Sequence, residues 1–209
     1  MGKLHLYAIG VDEVRSWFGA APELAGNLRV IAAEHFPTPI EPQTGTRLRQ
    51  LGPLFKKSLE PMKPPIGPAP IDVENLVSGR AIPPERLEPA WQIICAWLGE
   101  LSNQQIVIEI TPRQLDDLDF ELVRAGLPSQ LSIQRLWGRE LGLSLMKPQN
   151  LQCGYSTPRH VRQTTDWLLE CPDELEPTSL AKIQPIISFL TAIDGEREVI
   201  GVWWLDQEG

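Results

Sequence analysis

The chain reads as an α+β protein, with a mixed or antiparallel sheet packed against several amphipathic helices, on three observations. A segment with a period of two stands near its start, KLHLYAI, the alternation of a strand, and a β-branched and aromatic run, VIGVWWL, stands near its end as a terminal strand. Between them lie stretches in which Leu, Ile and Trp recur at helical spacing, two of them opened by the same Thr-Pro pair, Thr111-Pro112 and Thr157-Pro158. Third, 209 residues that are 42% hydrophobic and 22% charged, with 7 Trp, have the composition of a chain that buries about 70% of its unfolded surface. One domain over 1–209 is expected, with a proline-rich connection at about 37–70.

In order, Leu4, Leu6 and Ala8 alternate with His5, Tyr7 and Ile9 in the first strand. Asp12 is placed to cap a short helix running to Phe18. A second helix over 23–36 puts Leu24, Leu28, Ile31 and His35 on one side. From Pro37 to Pro70 nine residues are proline; proline lacks the amide that helices and ladders need, so a long connection is expected, with at most one helix around 46–59. Asp72 then caps DVENLVSG, stopped by Gly79, and ERLEPAWQIICAWLGEL carries Leu87, Trp91, Ile94, Leu98 and Leu101 on one stripe, the most deeply packed helix of the chain. IVIEI over 106–110 is a β-branched strand. Thr111 caps a helix that buries Leu115, Leu118, Leu122 and Ala125 and stops at Gly126.

Between Leu131 and Gln152 short strands or loop pieces surround Trp137. Thr157-Pro158 starts a helix burying Val161, Thr165, Leu168 and Leu169. The following helix is expected to begin near Lys182, because Pro185 interrupts anything earlier. VIGVWW closes the sheet, and Trp203 and Trp204, adjacent in a strand, must point to opposite faces. Either helices cover both faces there or one ring is left for a partner. Trp91, Trp97 and Trp167 are expected in the core, while Trp17, Trp137, Trp203 and Trp204 are candidates to line a groove.

The formal net charge of −8 opposes binding to a phosphate backbone, which depends on clustered Lys and Arg, so no nucleic acid partner is expected. Residues 155–209 carry four basic side chains against ten acidic ones, so much of the negative field belongs to the last quarter. Three cysteines, Cys95, Cys153 and Cys171, make neither a CxxC pair nor a disulfide framework, which fits a reducing compartment and a cytoplasmic location. The opening MGKLHLYAIGVDEV is too short and polar for a secretory segment, and no apolar run reaches membrane-spanning length, so no membrane partner is expected.

The opening strand followed by VDEV, the CGYSTPRHV helix start, the terminal VIGVWWLD and DVENLVSG before an Ala-Trp helix together resemble the YfbM-like group of uncharacterised bacterial domains, small α+β proteins. The resemblance implies a fold and carries no chemistry.

The motifs of common chemistries are absent. His5, His35 and His160 make no metal-ligand spacing, no phosphate-binding glycine loop follows a strand, and no GxSxG is present, so neither metal nor cofactor is expected. One catalytic possibility survives. Cys153 precedes a helix start, where the dipole lowers a thiol pKa, and His160, with Arg159 and Arg162 beside it, follows in the first turn. No acid or amide can be assigned to orient the imidazole, which weighs against catalysis. Two functions follow. The first is a non-enzymatic acidic interaction module, inhibitor-like or immunity-like, that engages a basic protein and offers Trp203 and Trp204 as contacts. The alternative is a small-molecule binder or enzyme using Cys153, Tyr155, Arg159 and His160.

Overall fold

The computed structural model describes residues 2–37, 67–170, 176–193 and 197–205. The helix expected around 46–59, most of the proline-rich connection, and six of the ten acidic residues of the last quarter lie outside them.

Four strands, β1 (Gly2–Ala8), β2 (Gln105–Ile110), β3 (Leu151–Ser156) and β4 (Val199–Leu205), form one antiparallel sheet in the order β2-β1-β4-β3. The last strand is thus internal, hydrogen-bonded to β1 on one side and β3 on the other. Alternation sorts the strand side chains into two layers. Tyr7, Leu151, Cys153, Ile200 and Val202 meet α1 (Val11–Arg15), α2 (Pro22–His35), α3 (Pro70–Val77) and α4 (Leu87–Leu101). Leu4, Leu6, Ala8, Val199 and Trp203 meet α5 (Pro112–Arg124), α6 (Pro158–Glu170) and α7 (Pro177–Ala192) on the other side. The protein is α+β with helices over both faces of an antiparallel sheet.

That arrangement settles the two tryptophans. Trp203 is 3% exposed and packs edge-on against Trp137, ring centroids 6.1 Å apart. Trp204 is half-buried against the opposite layer. Trp17 is buried against Trp97, centroids 5.8 Å apart. Three of the four tryptophans that are candidates for a groove are therefore core residues, the default for so large a ring, because in a doubly covered sheet it gains most by losing its water.

Local caps follow their sequence signals where both partners are close in the chain. The Thr111 hydroxyl accepts from the Gln114 amide while the Gln114 side chain accepts from the Thr111 amide, and Gly126 ends α5 at φ +102°, a conformation that glycine adopts without a Cβ penalty. Asp12 does not cap α1; it sits inside the helix, paired with Arg15, and the Val11 amide instead donates to the Glu198 carboxylate at 2.6 Å. Asp72 lies within the first turn of α3, where it accepts from the Ala69 amide and pairs with Arg86. Helix α7 starts at Pro177, five residues ahead of the expected start near Lys182, and runs on through Pro185. Ile183, Ile186, Ile187, Phe189 and Leu190 are all buried, and packing of that size outweighs one missing backbone hydrogen bond. In α6 the buried residues are Val161, Thr164 and Leu168, while Leu169 is 51% exposed.

The stretch before β3 is built from two 3₁₀ turns, Ser129–Leu131 and Ile133–Trp137. Its continuation pairs with the outer edge of β3, where the Arg139 amide donates to the Tyr155 carbonyl and the Tyr155 amide to the Arg139 carbonyl. Trp137 lies over Gly154 and Gly201, which face each other across β3 and β4.

Candidate functional site

Cys153 and His160 are close in sequence and apart in space. Cys153 is in the middle of β3 rather than at a helix start, its side chain turned toward Trp91 of α4. The strand runs on to Ser156 before α6 begins, and α6 packs on the other face of the sheet. The thiol is 8% exposed, and burial pushes its pKa up to about 12, the reverse of what a thiolate nucleophile needs. The Cys153–His160 pairing expected from the sequence is not formed. Tyr155, two residues along β3, shares the face of Cys153 and lies beneath the Arg15 guanidinium, 5.9 Å from ring centre to carbon. Arg159 is exposed on α6. A thiol reagent at pH 7.5 is expected to label Cys153 on the order of a hundredfold more slowly in the folded protein than in the unfolded chain. Site-resolved mass spectrometry checks this, and rapid labelling of the folded protein would contradict it.

His160 belongs to a different constellation. It sits in the first turn of α6, its amide turned to the Thr157 hydroxyl at 3.4 Å, and it borders an open hollow of about 420 Å³ with Ser129, Gln130, Arg135, Gly138 and Arg139. Burial and the charges of Arg139 and Arg135 hold its pKa below the ordinary imidazole range. Its buried Nε2 has no hydrogen-bond partner among the described residues. The wall that carries Arg135 is fixed from a distance. Asp119 of α5, only 9% exposed, accepts from the amides of Ile133 at 2.7 Å and Gln134 at 3.2 Å, so a carboxylate from a neighbouring helix caps the 3₁₀ turn. Burial raises the Asp119 pKa, and these two amide hydrogen bonds oppose the shift.

Arg135 and Arg139 were not singled out by the sequence. The spacing in RLWGR puts two cations four residues apart, but only the pairing of Arg139 with the edge of β3 brings both beside His160.

On the outward side of α5, Arg113, Asp116, Asp117, Phe120, Val123 and Arg124 are exposed. Phe120 is 65% exposed and Val123 43%. Asp116 accepts from the Gln134 side chain at 2.7 Å and Glu121 from the Ser179 hydroxyl. A large ring, with Asp116 and Asp117 one turn before it and Arg124 one turn after, thus stands on a helix that is well anchored beneath.

Among the described residues no group of three or more His, Cys, Asp or Glu side chains is placed to hold a metal ion, and no helix is long and apolar enough to cross a membrane. Comparisons with protein-family models, with curated proteins and with solved structures found no match.

Proposed function

We propose that the chain is a non-enzymatic interaction module whose acidic surface engages a basic protein, in the manner of an inhibitor or immunity protein. The observation that carries this reading is the outward face of α5, where Phe120 and Val123 lie exposed at helical spacing beside Asp116 and Asp117. An aromatic side chain of this kind anchors an interface when a partner covers it and its rim excludes water. The net charge of −8 speeds encounter with a positively charged partner and selects against an acidic one. Catalysis through the thiol loses its basis with the burial of Cys153 and its separation from His160.

The test is retention of proteins from the native host on immobilised wild-type chain, on Phe120→Ser and on Asp117→Lys, each checked for an unchanged melt. One identifiable basic protein is expected to bind at low salt, to elute as salt rises, and to bind Phe120→Ser on the order of tenfold more weakly. Equal retention by all three, or retention insensitive to salt, would overturn the proposal.

A further inference from the structure

We propose that the hollow lined by Ser129, Gln130, Arg135, Gly138, Arg139 and His160 binds the phosphate group of a small molecule. This is independent of the partner-binding face on α5 and uses other residues.

Two guanidinium groups and one imidazole, from three separately anchored pieces of chain, converge there. Arg135 comes from the 3₁₀ turn that Asp119 caps, Arg139 from the segment paired to the edge of β3, and His160 from α6. The chain is rich in carboxylates, 27 against 19 Lys and Arg, and four of its other arginines use them: Arg15 pairs with Asp12, Arg29 with Glu74, Arg86 with Asp72 and Arg197 with Glu13. Among the described residues no carboxylate pairs with Arg135 or Arg139, and none lines the hollow. Two like charges beside an imidazole repel one another and keep the ring neutral, an arrangement that costs free energy in the empty protein and is relieved by an anion.

The donor count favours phosphate over carboxylate. Two guanidinium forks, the Ser129 hydroxyl and the Gln130 amide offer more hydrogen bonds than two carboxylate oxygens readily accept, whereas a phosphate monoester presents three peripheral oxygens and a second charge. The adjoining hollow contains Asp119, but both of its oxygens are taken by backbone amides. The volume of about 420 Å³ exceeds what one phosphate fills, leaving space for the body of a small phosphorylated compound. A nucleic acid fits less well, because the net charge of −8 repels an extended phosphate backbone.

The experiment is a nitrogen–proton NMR titration of the full chain with inorganic phosphate and with glycerol phosphate, against chloride at matched ionic strength. Saturable shifts are expected at the amides of Gly138, Arg139 and His160 with both phosphates and not with chloride. Arg135→Gln and Arg139→Gln are each expected to weaken binding about tenfold, and the pair to abolish saturation. Arg113→Gln/Arg124→Gln, on the outer face of α5, is expected to bind as wild type, and His160→Gln provides a second arm should an arginine variant fail to fold. No saturable shift with either phosphate, the same shifts with chloride, or an equal loss in the α5 control would overturn the assignment.

Discussion

Replacing Gly154 with alanine is expected to destabilise the protein by about 3 kcal/mol, at the upper end of what overpacking costs. A Cβ at this position would come within 2.1 Å of the Trp137 carbonyl oxygen and 2.4 Å of the Arg139 carbonyl oxygen. Both obstacles are backbone, and the second belongs to a residue hydrogen-bonded to β3 through its own amide and carbonyl, so neither can step aside without breaking the edge pairing. Gly201 makes the informative comparison. Its added Cβ would meet Trp137 at 2.7 Å from Cβ and 3.0 Å from Cγ, a contact also held by the backbone but 0.6 Å less severe than the 2.1 Å one at Gly154. Denaturant melts should therefore rank Gly154→Ala below Gly201→Ala, both with the slope of the wild type. Adding Trp137→Ala should relieve part of the Gly201→Ala defect and none of the Gly154→Ala defect. Equal stability of Gly154→Ala and wild type would show that the 129–139 segment is not seated on the sheet in this way.

The second large effect is expected at Asp72. Its carboxylate is buried, 1% exposed, and binds the Arg86 guanidinium through both oxygens while also accepting from the Ala69 amide at 2.8 Å. The Arg86 side chain is itself only 10% exposed and also donates to the Gly67 carbonyl. Asp72→Ala leaves a buried positive charge without its balancing carboxylate and removes the acceptor of the Ala69 amide at the cap of α3, for an expected loss of about 3 kcal/mol. Asp72→Leu/Arg86→Met should be much less harmful than the sum of its single replacements, since an apolar pair of similar volume needs no compensation. A double-mutant cycle from thermal or urea melts measures this directly, and additive losses would show that the two side chains do not act as a pair.

How much was readable in advance depended on how far apart the cooperating residues lie. The Thr111-Pro112 start and the Gly126 stop of α5 involve neighbours within four residues, and the chain spells them out. The same holds for the buried stripe of α4 and the alternation at the start of β1. The caps of α1 and of the 133–137 turn come from Glu198 and Asp119, 187 and 14 residues away, and no local pattern announces a carboxylate that arrives from another element. The site expectations failed for a related reason. Cys153 and His160 were joined through their separation in sequence, but a strand's end and a change of face lie between them. The basic hollow was invisible for the opposite cause, since Arg135 and His160 are 25 positions apart and meet only through folding. Phe120 interrupts the polar side of an amphipathic helix, a signal present in the sequence but easily read as part of the buried stripe.

The position of β4 also governs the order in which the protein can be made. During synthesis β1 and β2 can pair as soon as Ile110 has left the ribosome, because they are each other's neighbours. The strand β3 emerges next and has no bonding partner among them, since its only sheet neighbour is β4. Among the described residues the nascent chain thus holds a two-stranded ribbon and a third strand paired only with the Arg139 segment until residues 199–205 appear, and that strand then joins both. A chain halted before Val199 leaves the β4-facing edges of β1 and β3 unpaired, the kind of open strand edge that templates association.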